Sequence, residues 1–226
     1  MRECGYIAGA VGERHAYDGF HQVFPYSRFT ALAPFWIDRY PVTNAEFFDF
    51  LQATGYHPED DHQFLQHWVE GAPPSGMARH PVVFISLADA RAFARWAGKR
   101  LPTEEEWQLA AGGAELRRWP WGDAFDASRC TPPGYGSTPI DAFPHGATPN
   151  GIFDLCGNVW EMTESERTDG HTRYLILKGG CWFSGGESAW QFDGGPQPVN
   201  WGAKKILLSD GWDRAATVGF RCVSDP

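Results

Sequence analysis

Three short helices are marked in this sequence at both ends, and they leave most of the chain to other structure. Thr43-Asn44-Ala45-Glu46 is a capping box, in which hydroxyl and carboxylate satisfy each other's backbone amides. Phe47, Phe50 and Leu51 follow at helical spacing, and Gly55 ends the run. Ser86-Leu87-Ala88-Asp89 opens a second helix, with Asp in the place of Glu or Gln. It carries Ala90, Phe93, Ala94 and Ala97 on one face and stops at Gly98. Thr103 and Glu106 frame a third, in which Trp107 and Ala110 face inward and Gly112-Gly113 terminate. The glutamates of its first turn suit the positive end of the helix dipole.

Strand signals are shorter: Phe35–Asp38, Val82–Ile85, Tyr174–Lys178 and Thr217–Val223. Between about 113 and 150, and again between 185 and 213, the chain reads as long loops rich in Gly, Pro and Trp. Loops of that length are functional or disordered, and a content of 11 Trp argues against disorder. No internal repeat or linker interrupts the chain, so residues 1–226 are expected to form one α+β domain of low regular content.

The net charge of −9 is spread along the chain, without the basic stripe that a sequence-unspecific nucleic-acid binder needs. Arg117-Arg118 reads as solvated surface. The N-terminus lacks the apolar run of a signal peptide. No stretch of about 18 apolar residues suggests a membrane span. The five cysteines are widely spaced with no CxxC, which predicts a reduced, cytoplasmic protein.

Several motifs then occur in a telling order. They are Phe35 to Asn44, the stretch Trp96-Ala97-Gly98-Lys99-Arg100-Leu101-Pro102-Thr103-Glu104-Glu105-Glu106-Trp107, and Pro120-Trp121-Gly122. Asn150 to Leu155, Gly157-Asn158-Val159-Trp160-Glu161, Lys178-Gly179-Gly180 and Gly219-Phe220-Arg221-Cys222 follow. In this the chain resembles the formylglycine-generating-enzyme (sulfatase-modifying-factor) family. The resemblance implies a C-type-lectin-like fold. The family includes copper enzymes that oxidise a sulfatase cysteine, a partner domain of iron-dependent sulfoxide synthases, and a siderophore-maturation oxidase. It also includes members that look purely binding, such as a cysteine-less vertebrate paralogue.

The resemblance also says where chemistry should lie. In the copper enzymes two cysteines after Gly-Gly-Ser make a soft site for Cu(I). Here those positions fall on Ser184 and Ala189, so Cu(I) and formylglycine generation are not expected. Cys181 stands where the family has serine. It and Ser184 are the candidate reacting groups, and Cys181 reads equally as a small hydrophobe beside Trp182. His57, His62 and His67 lie five apart, roughly 140° around a helix, and only a folded loop would gather them as an iron site. Calcium is the stronger expectation. By the resemblance it is wrapped by Glu161 and the carbonyls of Cys156, Gly157 and Val159, hard oxygen donors of the kind Ca²⁺ takes.

The segment 184–214 corresponds to the family's substrate groove. Its expected ligand-binding residues are Trp182, Trp190, Gln191, Trp201, Trp212 and Arg214, aromatic area with polar atoms for orientation. A peptide, a sugar or a cationic small molecule would suit such a groove. Three readings stay open here: an oxygen-dependent oxidoreductase of altered chemistry acting on a peptide or natural product, a non-catalytic binding module, and a regulatory subunit. The sequence leaves the oligomeric state open.

Overall fold

The computed structural model describes residues 4–7, 11–18, 22–134, 136–184 and 194–226. Its helices start where the hydroxyl caps put them: α1 (Asn44–Thr54), α2 (Leu87–Trp96) and α3 (Glu104–Gly112). Thr43, Ser86 and Thr103 each accept the amide three residues on, and Glu46, Asp89 and Glu106 return the bond. Gly55 closes α1 at φ 63°, a left-handed position that suits glycine. One further turn, α4 (Asp210–Asp213), lies in a segment expected to be loop.

The strands are β1 (Cys4–Ile7), β2 (Val11–Asp18), β3 (Gln22–Ala31), β4 (Phe35–Asp38), β5 (Trp160–Thr168), β6 (Arg173–Lys178), β7 (Gly180–Cys181), β8 (Gly195–Pro196), β9 (Gly202–Ile206), β10 (Val218–Phe220) and β11 (Val223–Ser224). They form a four-stranded sheet in the order β10-β5-β6-β9, a three-stranded sheet β1-β4-β11, and the pairs β2-β3 and β7-β8. In the four-stranded sheet only β10 and β5 run parallel. The α+β expectation holds.

Two strand expectations need correction. Val82–Ile85 is not a strand: Val82 N–H bonds to Val42, Phe84 N–H to Ala215, and Phe84 sits at φ 56°. Its amides serve two different segments, so no ladder forms, although Val82 and Ile85 are buried as a short apolar run should be. The expected strand Thr217–Val223 is split in two, with β10 on β5 and β11 on β4. The break falls at Arg221-Cys222, where the Arg221 side chain turns into the core. The expected loop at 185–213 also contains β9, whose ladder with β6 supplies what the local sequence Gly-Ala-Lys-Lys-Ile does not advertise.

Helices α1 and α2 pack on the four-stranded sheet. Phe47 stacks on Phe93 at 5.7 Å, Phe93 meets Phe220 edge-on at 5.5 Å, and Leu175 and Leu177 of β6 complete the layer. Helix α3 packs through Trp107, Ala110 and Ala111 against Ile7, Phe35, Ile37 and Val223 of the three-stranded sheet. No described helix is long and apolar enough to cross a membrane.

Thr103 caps the helix that carries Trp107 into the core beneath the three-stranded sheet. Thr103→Ala should therefore cost about 1 kcal/mol, read as a lower urea midpoint at unchanged slope.

Candidate functional site

The parallel pairing of β10 with β5 sets Gly219 opposite Glu161, and Arg221 follows two residues later. Both charged side chains are buried. Arg221 Nη2 donates to Glu161 Oε1 at 2.6 Å and Nε to Oε2 at 2.7 Å, and the Trp107 indole N–H adds a third bond to Oε2 at 2.7 Å. The remaining guanidinium protons go to the carbonyls of Asp38, Arg39 and Phe153. This forked, charge-assisted geometry satisfies both carboxylate oxygens. Glu161, expected as a calcium ligand, thus has a guanidinium as its counter-charge.

The turn before β5 offers a different carboxylate. Asp154 and Asn158 adopt φ 55° and 61°, left-handed values that few non-glycine residues hold. Asn158 pins the segment at 138 by two 3.0 Å bonds to the Thr138 backbone, and its amide donates to Asp154 Oδ2 at 3.1 Å. Burial pushes the Asp154 carboxyl up to about 7; the Asn158 bond and the Arg221 charge oppose this, while Glu161 and Asp141 add to it. Asp154 makes no salt bridge among the described residues. Sequence reading missed it because nothing local separates it from any other loop aspartate.

The next segment is a backbone platform. Gly157 N–H and Gln197 N–H both reach the Gly179 carbonyl, at 2.8 and 3.2 Å. Gly180 lies at φ 85°, and a Cβ there would stand 2.1 Å from the Gly195 carbonyl oxygen, so β7 and β8 can approach only at glycine. Trp182 is tied by its N–H to Asn158 at 2.9 Å and by its carbonyl to Gly134 at 2.7 Å. Phe183 and Ser184 then emerge on the surface, Phe183 at 44% exposure.

Cys181 faces the other way. It is buried, its thiol points at the Phe183 carbonyl at 3.5 Å, and burial raises its pKa. A buried thiol with a raised pKa is a poor nucleophile and a poor ligand, which weighs against the expected reacting role of Cys181. Ser184 has no histidine or carboxylate hydrogen-bonded to it among the described residues. Ala189, Trp190 and Gln191 lie outside the described residues.

Of the remaining groove residues, Trp201 packs on Trp160 at 5.7 Å against the core, Trp212 is 70% exposed beside the His62 ring, and Trp182 leans edge-on to Phe183. Arg214 is buried, pairs with Asp89 at 3.0 Å and donates from Nη1 to the carbonyls of Asp60 and His62, while its Nη2 has no partner among the described residues. The three histidines are not gathered either, and no group of three His, Cys, Asp or Glu among the described residues has the arrangement of a metal site. Two thiols that sequence spacing gave no reason to pair, Cys130 and Cys156, are buried together against Trp119.

A model of the sulfatase-modifying factor enzyme 1-like domain matches residues 7–226. The chain belongs to this sulfatase-modifying-factor family. The inactive C-alpha-formylglycine-generating enzyme 2 of Bos taurus is 34% identical over 204 residues, 69% of this chain and 67% of the relative. The serine/threonine-protein kinase pkn1 of Chlamydia caviae is 33% identical over 190 residues, 73% of this chain but only 29% of the kinase. The structure of PvdO from Pseudomonas aeruginosa superposes with a TM-score of 0.71 at 20% identity, over 100% of this chain and 95% of that one. The fold is therefore the formylglycine-generating-enzyme type that the motifs implied.

Two outcomes follow from this geometry. Glu161→Gln leaves the Arg221 charge buried without its partner and should cost about 3–5 kcal/mol in urea unfolding. His67 packs on Phe84 with both ring nitrogens buried and unbonded, and burial lowers its pKa to about 4 from 6.5. The unfolded chain thus binds the extra proton between those values. The His67 contribution is complete above 6.5 and is lost as pH falls toward 4, so a His67→Gln variant should show a flatter melting-temperature profile across that window.

Proposed function

We propose that this chain is a ligand-binding member of the sulfatase-modifying-factor family, one that takes up a peptide or small molecule without oxidising it. The observation that carries this reading is the surface at 182–184. At the family's first copper-thiolate position stands an exposed serine beside an exposed phenylalanine, while the neighbouring thiol of Cys181 is buried. Exposed aromatic area on a rigid backbone platform suits binding. The alternative, an oxygen-dependent oxidoreductase of altered chemistry, needs a reactive thiolate or a metal-ligand set, and no group of three His, Cys, Asp or Glu among the described residues has the arrangement of a metal site. The inactive bovine relative is in keeping with the binding reading.

Calcium belongs to the same reading as a structural cation. Asp154, with the carbonyls of Cys156, Gly157 and Val159, supplies the hard oxygen donors the ion takes, and the ion would neutralise a carboxylate that has no salt bridge. In this reading Ca²⁺ raises the melting temperature by mass action, chelation reverses the rise, and Asp154→Asn abolishes it. An unchanged melting temperature, with no calcium retained after desalting, overturns the assignment.

The catalytic question is decided by copper competition and oxygen uptake with a cysteine-containing peptide. The natural chain should lose Cu(I) to a chelator and consume no oxygen above the free-copper rate. Ser184→Cys combined with Ala189→Cys should retain about one Cu(I) on its two thiolates. Peptide-dependent oxygen uptake by the natural chain would sink the binding reading.

A further inference from the structure

Two thiols far apart in sequence meet in a small cluster of their own. Cys130 and Cys156 are both buried and pack together against Trp119, with the half-buried Trp121 beside them. Trp119 stacks on Trp121 at 6.1 Å and meets Phe125 at 4.7 Å, so the thiols sit against a layer of aromatic rings. The two side chains hydrogen-bond each other. Cys156 Sγ also lies 3.7 Å from the Gln197 carbonyl oxygen.

The main chains come as close as the side chains. A Cβ added at Gly157 would stand 3.4 Å from the Thr131 carbonyl oxygen and 3.6 Å from its amide nitrogen, so the backbones touch one residue beyond the thiols. Cys130 closes the 3-10 turn Ala127–Arg129, which the Asp126 side chain caps, and Arg129 Nη1 donates to the His145 carbonyl at 3.1 Å. On the other side, Gly157 N–H holds the Gly179 carbonyl at 2.8 Å and Asn158 clasps the Thr138 backbone. Both thiols are thus carried by segments that are fixed independently. A disulfide needs Cα atoms within about 7 Å and side chains that face each other. Touching backbones and a thiol–thiol hydrogen bond suit both requirements.

The other cysteines are placed differently. Cys4 and Cys222 both lie opposite Asp38, on the two sides of β4. Two strand spacings put them about 9–10 Å apart, too far to bridge. Cys181 is packed in the main core with its thiol toward the Phe183 carbonyl. A thiol packed singly acts as a small hydrophobe. Two in contact are also a dithiol poised to close.

We propose that Cys130 and Cys156 are a reversible redox pair, closed to a disulfide by hydrogen peroxide and reopened by a dithiol reductant. One thiolate attacks a peroxide oxygen, the O–O bond breaks, and the leaving hydroxide takes up the proton that this thiol lost. A sulfenic acid remains. The second thiol attacks its sulfur, the S–S bond forms, and the hydroxyl departs as a second water. The two sulfurs together lose two electrons and the peroxide gains them. The bond closes the loop from 130 to 156 and staples its start to the turn before β5, which constrains the unfolded chain more than the folded one.

The test starts from the fully reduced full chain, treated under native conditions with a small excess of hydrogen peroxide, quenched and unfolded. Free thiols should fall from five to three. Peptide mapping should find the fragment with Cys130 joined to the fragment with Cys156, and dithiothreitol should restore all the thiols. The oxidised chain should melt several degrees above the reduced one. Cys4→Ala should still give the cross-linked fragment. Cys130→Ala and Cys156→Ala should each lose both the fragment and the melting shift. The mapping is made on the natural chain, so it decides the matter even where a variant folds poorly. Retention of all five thiols, a cross-link through Cys4, Cys181 or Cys222, oxidation that runs to sulfinic acid without a cross-link, or an oxidised chain that melts below the reduced one would each overturn the assignment.

Discussion

The buried pair of Arg221 and Glu161 is the interaction on which this architecture turns. Through Glu161 it holds β5, through Trp107 it holds α3, and through carbonyl bonds it holds the end of β4 and the loop at 153. One forked contact therefore joins the two main sheets, a helix and the turn that precedes β5. The two ladders are short where they meet it, with β10 three residues long and β11 two. Strands of that length do not fix their own register by backbone bonds alone. Desolvating both charges costs several kcal/mol, so the pair is weak grounds for high stability. Its contribution is to specify one arrangement, because any shift of β10 against β5 strands a charge in the core.

What sequence could reveal follows from how local each interaction is. The capping boxes of α1, α2 and α3 are complete within four residues, and all three helices were legible to within a residue. The strand at 218–220 was legible as apolar sequence, but its end was not, because Arg221 leaves the ladder for a carboxylate 60 positions earlier. The same distance hid the role of Glu161. Its motif pointed to a metal, whereas its partners Trp107 and Arg221 come from other elements. Arg214 looked like a groove residue for the same reason, since Asp89 lies 125 positions away. Composition showed that aromatics were plentiful and loops long. It did not separate indoles that fill a core, such as Trp107, from those that face solvent, such as Trp36 and Trp212.

The platform at 178–184 shows how a family scaffold tolerates loss of its best-known thiols. It is held by backbone contacts: Gly157 to Gly179, Gln197 to Gly179, Trp182 to Asn158, Gly134 to Trp182, and Gly195 to Phe183. None of these uses the side chain at 184. Replacing a cysteine there by serine changes what the surface can coordinate and leaves what holds the surface untouched. The glycines are under the opposite constraint. Any side chain at 180 collides with a carbonyl, so the geometry is retained through residues that carry no chemistry.

A molecule built this way separates its supporting charges from its accessible ones. Arg221, Glu161, Arg214 and Asp89 are buried in mutual pairs, where each holds a chain segment. Asp154, on its left-handed turn, stands outside such pairs among the described residues. Function is therefore best sought at a charge outside such pairs, and the strength of a buried contact is a guide to architecture instead. By that criterion the place of interest is the turn before β5, toward which the motifs of the sequence led.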